Sequence, residues 1–263
     1  MRVLRAITRR LRRIRYSRWL TLPLRLSRVP APTDAEGADR HFLPAGYRER
    51  GEPEYFNDES EPGIEYQPDV YRKAARLARS VGATTIVDVG CGRARKLAAL
   101  HPESELIGLD FGNNIEHCRQ AYPFGTWVEH DLDREDSLLV DQDVLAESVV
   151  VCADVVEHVG RPQRALRALR ATFPPAHAIL ISTPDRIRIN LGRPLGPPFN
   201  EAHVREWTRS EFANLLRWCG FERGYLTYTR PFIGASELTT ILYVLRDSAS
   251  LRAPAVRTAA LLP

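Results

Sequence analysis

The chain has 263 residues, and its 44% hydrophobic and 27% charged content is ordinary for a globular protein with a sizeable buried core. No apolar run approaches the ~20 residues that span a bilayer, so a membrane-spanning helix is not expected. The four cysteines show no C-x-x-C spacing, which argues against a zinc site and against a disulfide framework. We therefore expect a cytoplasmic protein with reduced thiols.

The net charge of +4 is spread unevenly along the chain. Residues 1–28 contain ten arginines and no acidic residue, and removing these ten charges leaves −6 for the remainder. The basic character therefore belongs to this arm and does not indicate a basic catalytic face. Leu4, Ile7, Leu11 and Ile14 recur at helical spacing, which suits an amphipathic helix at an anionic membrane surface on the inner face. The alternatives are a basic extension without a partner and a wrongly assigned start codon.

The following segments predict one large domain. Residues 29–68 are rich in Pro, Gly and charge, which is typical of a linker or an irregular cover. A helix is expected at 69–80, with Pro68 before its first turn and Gly82 after its end. The domain should extend over residues 69–246, and a tail should occupy 247–263.

Within this domain, strand-like and helix-like patterns alternate, which predicts a parallel sheet covered by helices on both faces. The predicted strands are 84–90, 104–110, 126–131, 148–154 and 177–183, and the predicted helices are 94–100, 113–121, 162–172 and 209–219. The end of the domain differs, because Tyr225–Arg230 and Glu237–Leu245 are separated by Pro231 and Gly234. This spacing indicates two antiparallel strands.

The stretch Thr84–Leu100 carries the strongest functional signal. A buried, strand-like run is followed by Gly90 and Gly92, and a helix-forming segment starts at Ala94. A strand, a glycine turn and a helix allow the backbone to approach a nucleotide-like ligand closely. Asp88 would repel the pyrophosphate of a dinucleotide, whereas it would attract an ammonium or sulfonium group.

A second carboxylate, Asp110, ends the next predicted strand, 18 residues after Gly92. A Rossmann-like sheet holds a ribose diol near this position, and an ionised carboxylate can accept hydrogen bonds from two hydroxyls. The alternative is a structural role, in which Asp110 caps the helix that starts near Asn113.

Together these motifs resemble the class I S-adenosylmethionine (SAM) methyltransferases. The matching stretches are VDVGCGRA at the first strand, Asp110 at the second, EHDLD at the third and VCADVVEHV at the fourth. The resemblance covers about Asp69–Arg246, with Ala94 departing from the pattern at the last loop position. It implies an α/β fold, a doubly wound Rossmann-like sheet of seven strands with a C-terminal antiparallel hairpin, and SAM as the cofactor.

The resemblance assigns the first half of the cofactor site. Gly90 and Gly92 would approach the methionine part of SAM, and Asp88 would act near its amino group, directly or through water. Asp110 would hold the ribose hydroxyls. In the family, a segment before the first strand often lies over this site, so the aromatic residues of 29–68 are either lid residues or ordinary packing.

The second half of the site follows in the same way. Phe111 would lie against the adenine, Asp131 would accept from the adenine amino group, and Leu132 would contact the ring. Asp133 replaces Asp131 if the register differs by two, and His130 is expected on the opposite, solvated face of the strand. Asp154, at the end of the fourth strand, would face the transferable methyl group or the acceptor, as a cofactor-binding or catalytic residue.

Two histidines are candidates for the general base, because imidazole accepts a proton near neutral pH. His158 follows the fourth strand, although its EHV context can equally shape the wall of the crevice. His203 lies in Ser182–Trp207, a long Pro- and Gly-rich stretch of the kind that often carries function. Its alternative is structural, with Arg205 and Trp207 bracing the stretch onto the next helix.

The acceptor is predicted from the same stretch, where dense polar residues beside an aromatic suit a hydroxylated molecule. We expect methyl transfer to oxygen of a saccharide or other small polar acceptor, since PFNEAHVREWT resembles a run in bacterial glycan-associated methyltransferases. Nucleic acid is not expected, because the domain is slightly acidic and lacks an N/D-P-P-Y/F step after the fourth strand. No clustered metal ligands are evident in the sequence, so no metal is predicted.

Two other classes remain open. An NAD-binding oxidoreductase is disfavoured by Asp88 and Ala94 and by the absence of a suitably placed Tyr-x-x-x-Lys pair. A non-catalytic module that binds SAM, with residues 1–28 as a targeting device, is disfavoured by the intact Gly90, Gly92 and Asp110.

Overall fold

The computed structural model of the protein describes residues 24–25, 41–51, 66–190 and 194–246. Most of the predicted arm 1–28 and the tail 247–263 lie outside these residues, and the expectations for them stay predictions. Among the described helices, none combines the length and the apolar character needed to cross a membrane.

One mixed sheet forms the centre of the molecule, with strand order β1-β7-β8-β6-β5-β2-β3-β4. The strands are β1 (Leu24–Arg25), β2 (Thr85–Val89), β3 (Glu105–Asp110), β4 (Thr126–Glu129), β5 (Ser148–Ala153), β6 (Ala178–Pro184), β7 (Tyr225–Thr229) and β8 (Thr240–Arg246). Strands β2 to β6 pair in parallel, while β8 pairs antiparallel with both β6 and β7. The seven longer strands confirm the predicted fold class, and the two-residue β1 adds an antiparallel edge beside β7.

Seven helices connect these strands in the described part of the chain. They are α1 (Pro68–Val81), α2 (Arg95–Ala98), α3 (Gly112–Ala121), α4 (Gln142–Ala146), α5 (Pro162–Ala171), α6 (Arg186–Ile189) and α7 (Arg209–Trp218). Five of them lie close to their predicted bounds. The other two, α4 and α6, were not predicted, because a helix of one turn is too short to display a hydrophobic period.

Helix α1 shows how local sequence fixes an element. Pro68 occupies its first turn, where no intrahelical N–H is needed, and Gly82 ends it in the left-handed region with φ 76°. Val70, Ala74 and Leu77 are buried on one face, and this face packs over β2 and β5. All five residues of β2 are buried, as expected for a central parallel strand covered on both faces.

The strand order places the future site. Strand β2 lies between β3 and β5, so the connections from β2 and from β5 leave the sheet in opposite directions. A crevice opens at such a switch point, outside the carboxyl ends of the strands.

Candidate active site

A cavity of about 900 Å³ lies at the carboxyl ends of the parallel strands. Its volume is that of a site for a small molecule or cofactor. All but one of the predicted site residues line it: Gly90, Gly92, Asp110, Phe111, Asp131, Leu132, Asp154, His158 and His203. The fold therefore brings together residues that are more than a hundred positions apart in the sequence.

The glycine loop between β2 and α2 needs its glycines. Gly90 and Gly92 have positive φ values of 74° and 56°, which only glycine adopts without strain. A Cβ atom on Gly90 would lie 2.5 Å from Cγ2 of Val155, so a side chain there is also excluded sterically. Ala94, the departure noted in the sequence, adopts φ 52° at the start of α2. The loop thus keeps its shape at this position despite the methyl group.

Asp110 joins this loop to the end of β3. Its Oδ2 accepts from the backbone N–H of Gly92 at 2.8 Å. Its Oδ1 accepts from the backbone N–H of Phe111 at 2.8 Å and from Nδ2 of Asn114 at 3.3 Å. These bonds hold the carboxylate at the cavity wall beside the glycine loop, where the ribose contact was predicted.

Asp88 is the predicted residue that does not line the cavity. Its side chain is fully buried behind the glycine loop, where it accepts a 2.7 Å hydrogen bond from the hydroxyl of Tyr71. Its Oδ1 has no hydrogen-bond partner among the described residues. Burial raises the pKa of Asp88 to about 6, against the opposing effects of Tyr71 and Lys96. The expected direct contact with a ligand is therefore not formed by this geometry, which leaves contact through water.

The two candidate carboxylates after β4 differ in their partners. Asp133 accepts from the backbone N–H groups of Gly160 and Arg161, each at 3.0 Å, so it braces the loop before α5. Asp131 accepts from the N–H of Asp133 at 2.9 Å and pairs with Arg134 at 3.2 Å. Of the two, Asp131 is the carboxylate less occupied by the fold itself.

His130 was expected on a solvated strand face, and this expectation was wrong. The residue is 2% exposed and lines the cavity, and neither ring nitrogen has a hydrogen-bond partner in the part of the chain that the structure describes. Burial lowers its pKa, so the ring is neutral. Its position immediately before Asp131, where β4 has already ended, is the sequence signal that could have indicated it.

Asp154 lines the cavity directly after β5, the strand that pairs with β2. It adopts φ 53°, an uncommon backbone conformation for a residue with a side chain. Its Oδ2 accepts from Nε2 of Gln67 at 2.5 Å and its Oδ1 from the hydroxyl of Ser182 at 3.1 Å. Burial raises the pKa of Asp154, against the opposing charge of Lys96. The carboxylate is consequently a better proton acceptor than an exposed aspartate.

The two predicted histidines meet in this region, with ring centroids 4.8 Å apart. His158 Nδ1 lies 2.9 Å from the carbonyl oxygen of Ala202, and His203 Nδ1 lies 2.6 Å from Oε1 of Glu206. Burial, together with the neighbouring His203, lowers the pKa of His158 to about 3. A base whose conjugate acid is this strong accepts protons poorly at neutral pH, which disfavours the predicted catalytic role of His158.

The long stretch Ser182–Trp207 divides between the cavity and the scaffold. Arg205 is buried and donates to Oε1 of Glu49 at 2.8 Å, while Nε1 of the fully buried Trp207 donates to the carbonyl of His41 at 2.9 Å. These contacts fix the segment 41–51 and take no part in lining the cavity. They give Arg205 and Trp207 a structural role, but on the segment 41–51 and not on the next helix as predicted; of the two, Trp207 also packs against Phe212 of α7, with ring centroids 5.9 Å apart.

Several cavity residues were missed by the sequence analysis. They are Gln67, Lys96, Asn190 and Glu206. Tyr66, one of the aromatic residues expected as a lid or as ordinary packing, also lines the cavity. Tyr47, another lid candidate, instead accepts from the backbone N–H of Glu206 at 3.0 Å. The only signal for Glu206 was its position three residues after His203 in the polar stretch. Tyr55 and Phe56 lie outside the described residues.

The fold and the site define an α/β protein with a ligand-sized cavity at the switch point of its sheet. A family model described as a methyltransferase domain matches residues 15–223. The chain therefore belongs to this methyltransferase family, which confirms the identification made from the motifs.

Individual relatives agree with this assignment. A probable S-adenosylmethionine-dependent methyltransferase of Mycolicibacterium smegmatis is 30% identical over 149 residues, which cover 56% of this chain and 55% of the relative. A protein of the same description from Mycobacterium tuberculosis is 29% identical over 150 residues, covering 56% and 52%. The chain thus spans about half the length of the curated relatives it matches.

Among solved structures, the plantazolicin methyltransferase BpumL in complex with SAH is similar, with a TM-score of 0.50. The match covers 68% of this chain and 83% of that one at 16% identity. At this identity the likeness shows a shared fold.

Proposed function

We propose that the protein is a SAM-dependent methyltransferase that methylates an oxygen of a small polar or saccharide acceptor. The observation that carries the proposal is one cavity whose wall combines two groups of residues: the glycine loop with Asp110, and Asp154 with the two histidines. Membership in the methyltransferase family supports the reaction class, and the descriptions of the curated relatives support the cofactor.

The glycine loop and Asp110 fit SAM. Gly90 and Gly92 present backbone without side chains, and Asp110 is already oriented for a diol by the N–H of Gly92. Asp88 adds a negative charge behind the loop, with one buried oxygen lacking a partner among the described residues. SAM supplies a methyl group on a positively charged sulfur, so this charge favours the donor and disfavours the pyrophosphate of NAD.

Beside Asp154 and the histidines, a hydroxyl acceptor must lose its proton as its oxygen bonds to the methyl carbon and the bond from that carbon to sulfur breaks. We assign this proton to Asp154, whose burial raises its affinity for a proton. His203 is the second candidate. Alignment of the reactants within the cavity contributes much of the remaining rate, since methyl transfer from a sulfonium needs no strong base.

The acceptor class rests on polar side chains of the same cavity. Asn190, Asn200 and Glu206 line it together with Phe199, which is 52% exposed. Amide and carboxylate groups next to an exposed aromatic ring match a hydroxylated ring, which offers both polar edges and an apolar face.

Calorimetry with SAM and with NADH tests the cofactor, and incorporation of labelled methyl groups into saccharides, amines and RNA tests the acceptor. We expect SAM to bind and NADH not to bind, and Asp154→Asn to bind SAM but to lose roughly a hundredfold or more of turnover. Binding of NADH alone would contradict the proposal. SAM binding without turnover on any acceptor would instead favour the non-catalytic module.

A further inference from the structure

A second set of side chains lies close to Asp154. Glu157, His158 and His203 each offer one ligand atom, and these atoms all lie within 4.8 Å of one another. We propose that these three residues form a binding site for a divalent transition-metal ion. Two imidazoles and one carboxylate match the donor preference of Zn²⁺ or Co²⁺ better than that of Mg²⁺, which prefers oxygen alone.

Glu157 is the observation that points to a ligand. Its side chain is completely buried, and its Oε2 accepts from the hydroxyl of Thr183 at 3.0 Å. Its Oε1 is buried too and has no hydrogen-bond partner in the described part of the chain. An unsatisfied buried carboxylate oxygen destabilises a fold, and a bound cation would satisfy it.

The two histidines are held as metal-binding histidines usually are, with one nitrogen bonded to a protein acceptor. His158 Nδ1 lies 2.9 Å from the carbonyl oxygen of Ala202. A carbonyl can only accept, so Nδ1 carries the proton and Nε2 keeps its lone pair. His203 Nδ1 lies 2.6 Å from Oε1 of Glu206, a carboxylate–histidine pair of the kind that orients a ligand and strengthens its donation.

One contact must change for the ion to bind. Nδ2 of Asn200 lies 2.9 Å from Nε2 of His203, the nitrogen that would face the metal. Asn200 is an exposed residue whose Oδ1 accepts from the backbone N–H of Ala202 at 3.1 Å. Its amide can turn towards solvent without disturbing the core, at the loss of this one surface hydrogen bond.

The surrounding charge favours a cation. Two further carboxyl groups, those of Asp154 and Glu206, lie close enough to Glu157 to interact with it electrostatically. A divalent ion would offset this concentration of negative charge. Three protein ligands also leave a coordination position open, as in catalytic metal sites, and His158 and His203 line the cavity. That this position receives the acceptor oxygen rests on the proposed function, whereas metal binding does not.

The test uses the full chain after treatment with EDTA. Calorimetric titration with Zn²⁺, Co²⁺ and Mg²⁺ should show one equivalent of Zn²⁺ or Co²⁺ and weaker binding of Mg²⁺, with visible absorption bands from bound Co²⁺. Glu157→Gln and His203→Asn should each weaken binding by roughly tenfold or more. The control is His101→Gln, an exposed histidine outside the cavity, which should leave binding unchanged.

Two results would overturn the site. One is the absence of stoichiometric binding to the wild type, and the other is equal metal affinity in the wild type and both ligand variants. SAM binding, measured on the same samples, reports whether each variant is folded. A protein that binds metal but not SAM would contradict the proposed function alone, and one that binds SAM but not metal would contradict this inference alone. A general base at His203 would predict lost turnover in His203→Asn with metal affinity unchanged.

Discussion

At the scale of single residues, the two carboxylates near the glycine loop have different environments. Asp110 stands at the cavity wall, tied to Gly92 and Phe111. Asp88 is buried behind the loop and bonded to Tyr71. The first can contact a ligand directly, whereas the second acts through its charge, so substitutions at the two positions should have different signatures.

Replacing Asp110 tests the direct contact. Asp110→Ala should weaken SAM binding by roughly tenfold or more, because two charge-assisted hydrogen bonds to the ribose are lost. A tenfold weaker affinity corresponds to about 1.4 kcal/mol of binding free energy. Calorimetry measures the change. The matched control is Asp143→Ala, which replaces an exposed aspartate in α4. Equal SAM affinities in the two variants would contradict the ribose contact of Asp110.

The charge of Asp88 predicts a pH dependence. Its pKa of about 6 is raised by burial and by Asp110 and lowered by Tyr71 and Lys96. Above pH 6 the carboxylate is ionised and attracts the cationic cofactor; below pH 6 it is protonated, and the attraction disappears. SAM affinity should therefore fall as the pH drops through about 6. In Asp88→Asn the SAM affinity should be low already at pH 8, and it should show no further fall as the pH drops through about 6.

At the scale of elements, the sequence predicted what is locally encoded. The strand β2 was predicted because β-branched and apolar residues form a short run before the glycines, and α1 because its buried face has a helical period. His130 was misplaced because only the tertiary fold decides which side chains past a strand end turn inwards. The contact of Gln67 with Asp154 joins residues 87 positions apart, and no local pattern indicates such a pair.

Helix α7 allows a test of one local signal. Thr208 accepts from the backbone N–H of Glu211 while the Glu211 carboxylate accepts from that of Thr208, a reciprocal capping box. Thr208→Ala should lower the free energy of unfolding by about 1 kcal/mol, measured by urea denaturation. Ser210→Ala, two residues further along the chain, should lower the free energy of unfolding much less. Equal effects would show that the cap contributes nothing particular.

At the scale of the whole molecule, the segment 41–51 is held against the stretch Ser182–Trp207 by partly buried polar contacts. Arg205 is central, because it pairs with Glu49 and also donates to the carbonyls of Val159 and Gly160. One side chain thus links three parts of the chain that are distant in sequence.

Removing this link should loosen the molecule. Arg205→Met keeps the apolar stem but removes the donor to two carbonyls and leaves Glu49 its contact with His41, and should cost about 2 kcal/mol of unfolding free energy. Glu49→Gln, which retains a hydrogen-bond acceptor, should cost less. Chemical denaturation measures the free energy of unfolding of both variants. An unchanged value in Arg205→Met would contradict the bracing role of Arg205.

The contact of Val155 with the glycine loop bears on the engineering of acceptor choice. A Cβ on Gly90 would touch Val155 at once, and Val155 follows Asp154 directly, so one side chain separates the glycine loop from the backbone next to Asp154. If the acceptor binds beside Asp154 as proposed, a change at Val155 would disturb donor affinity in the same step. Substitutions intended to change the substrate range alone belong at Asn190 and Phe199, which line the cavity from the stretch Ser182–Trp207.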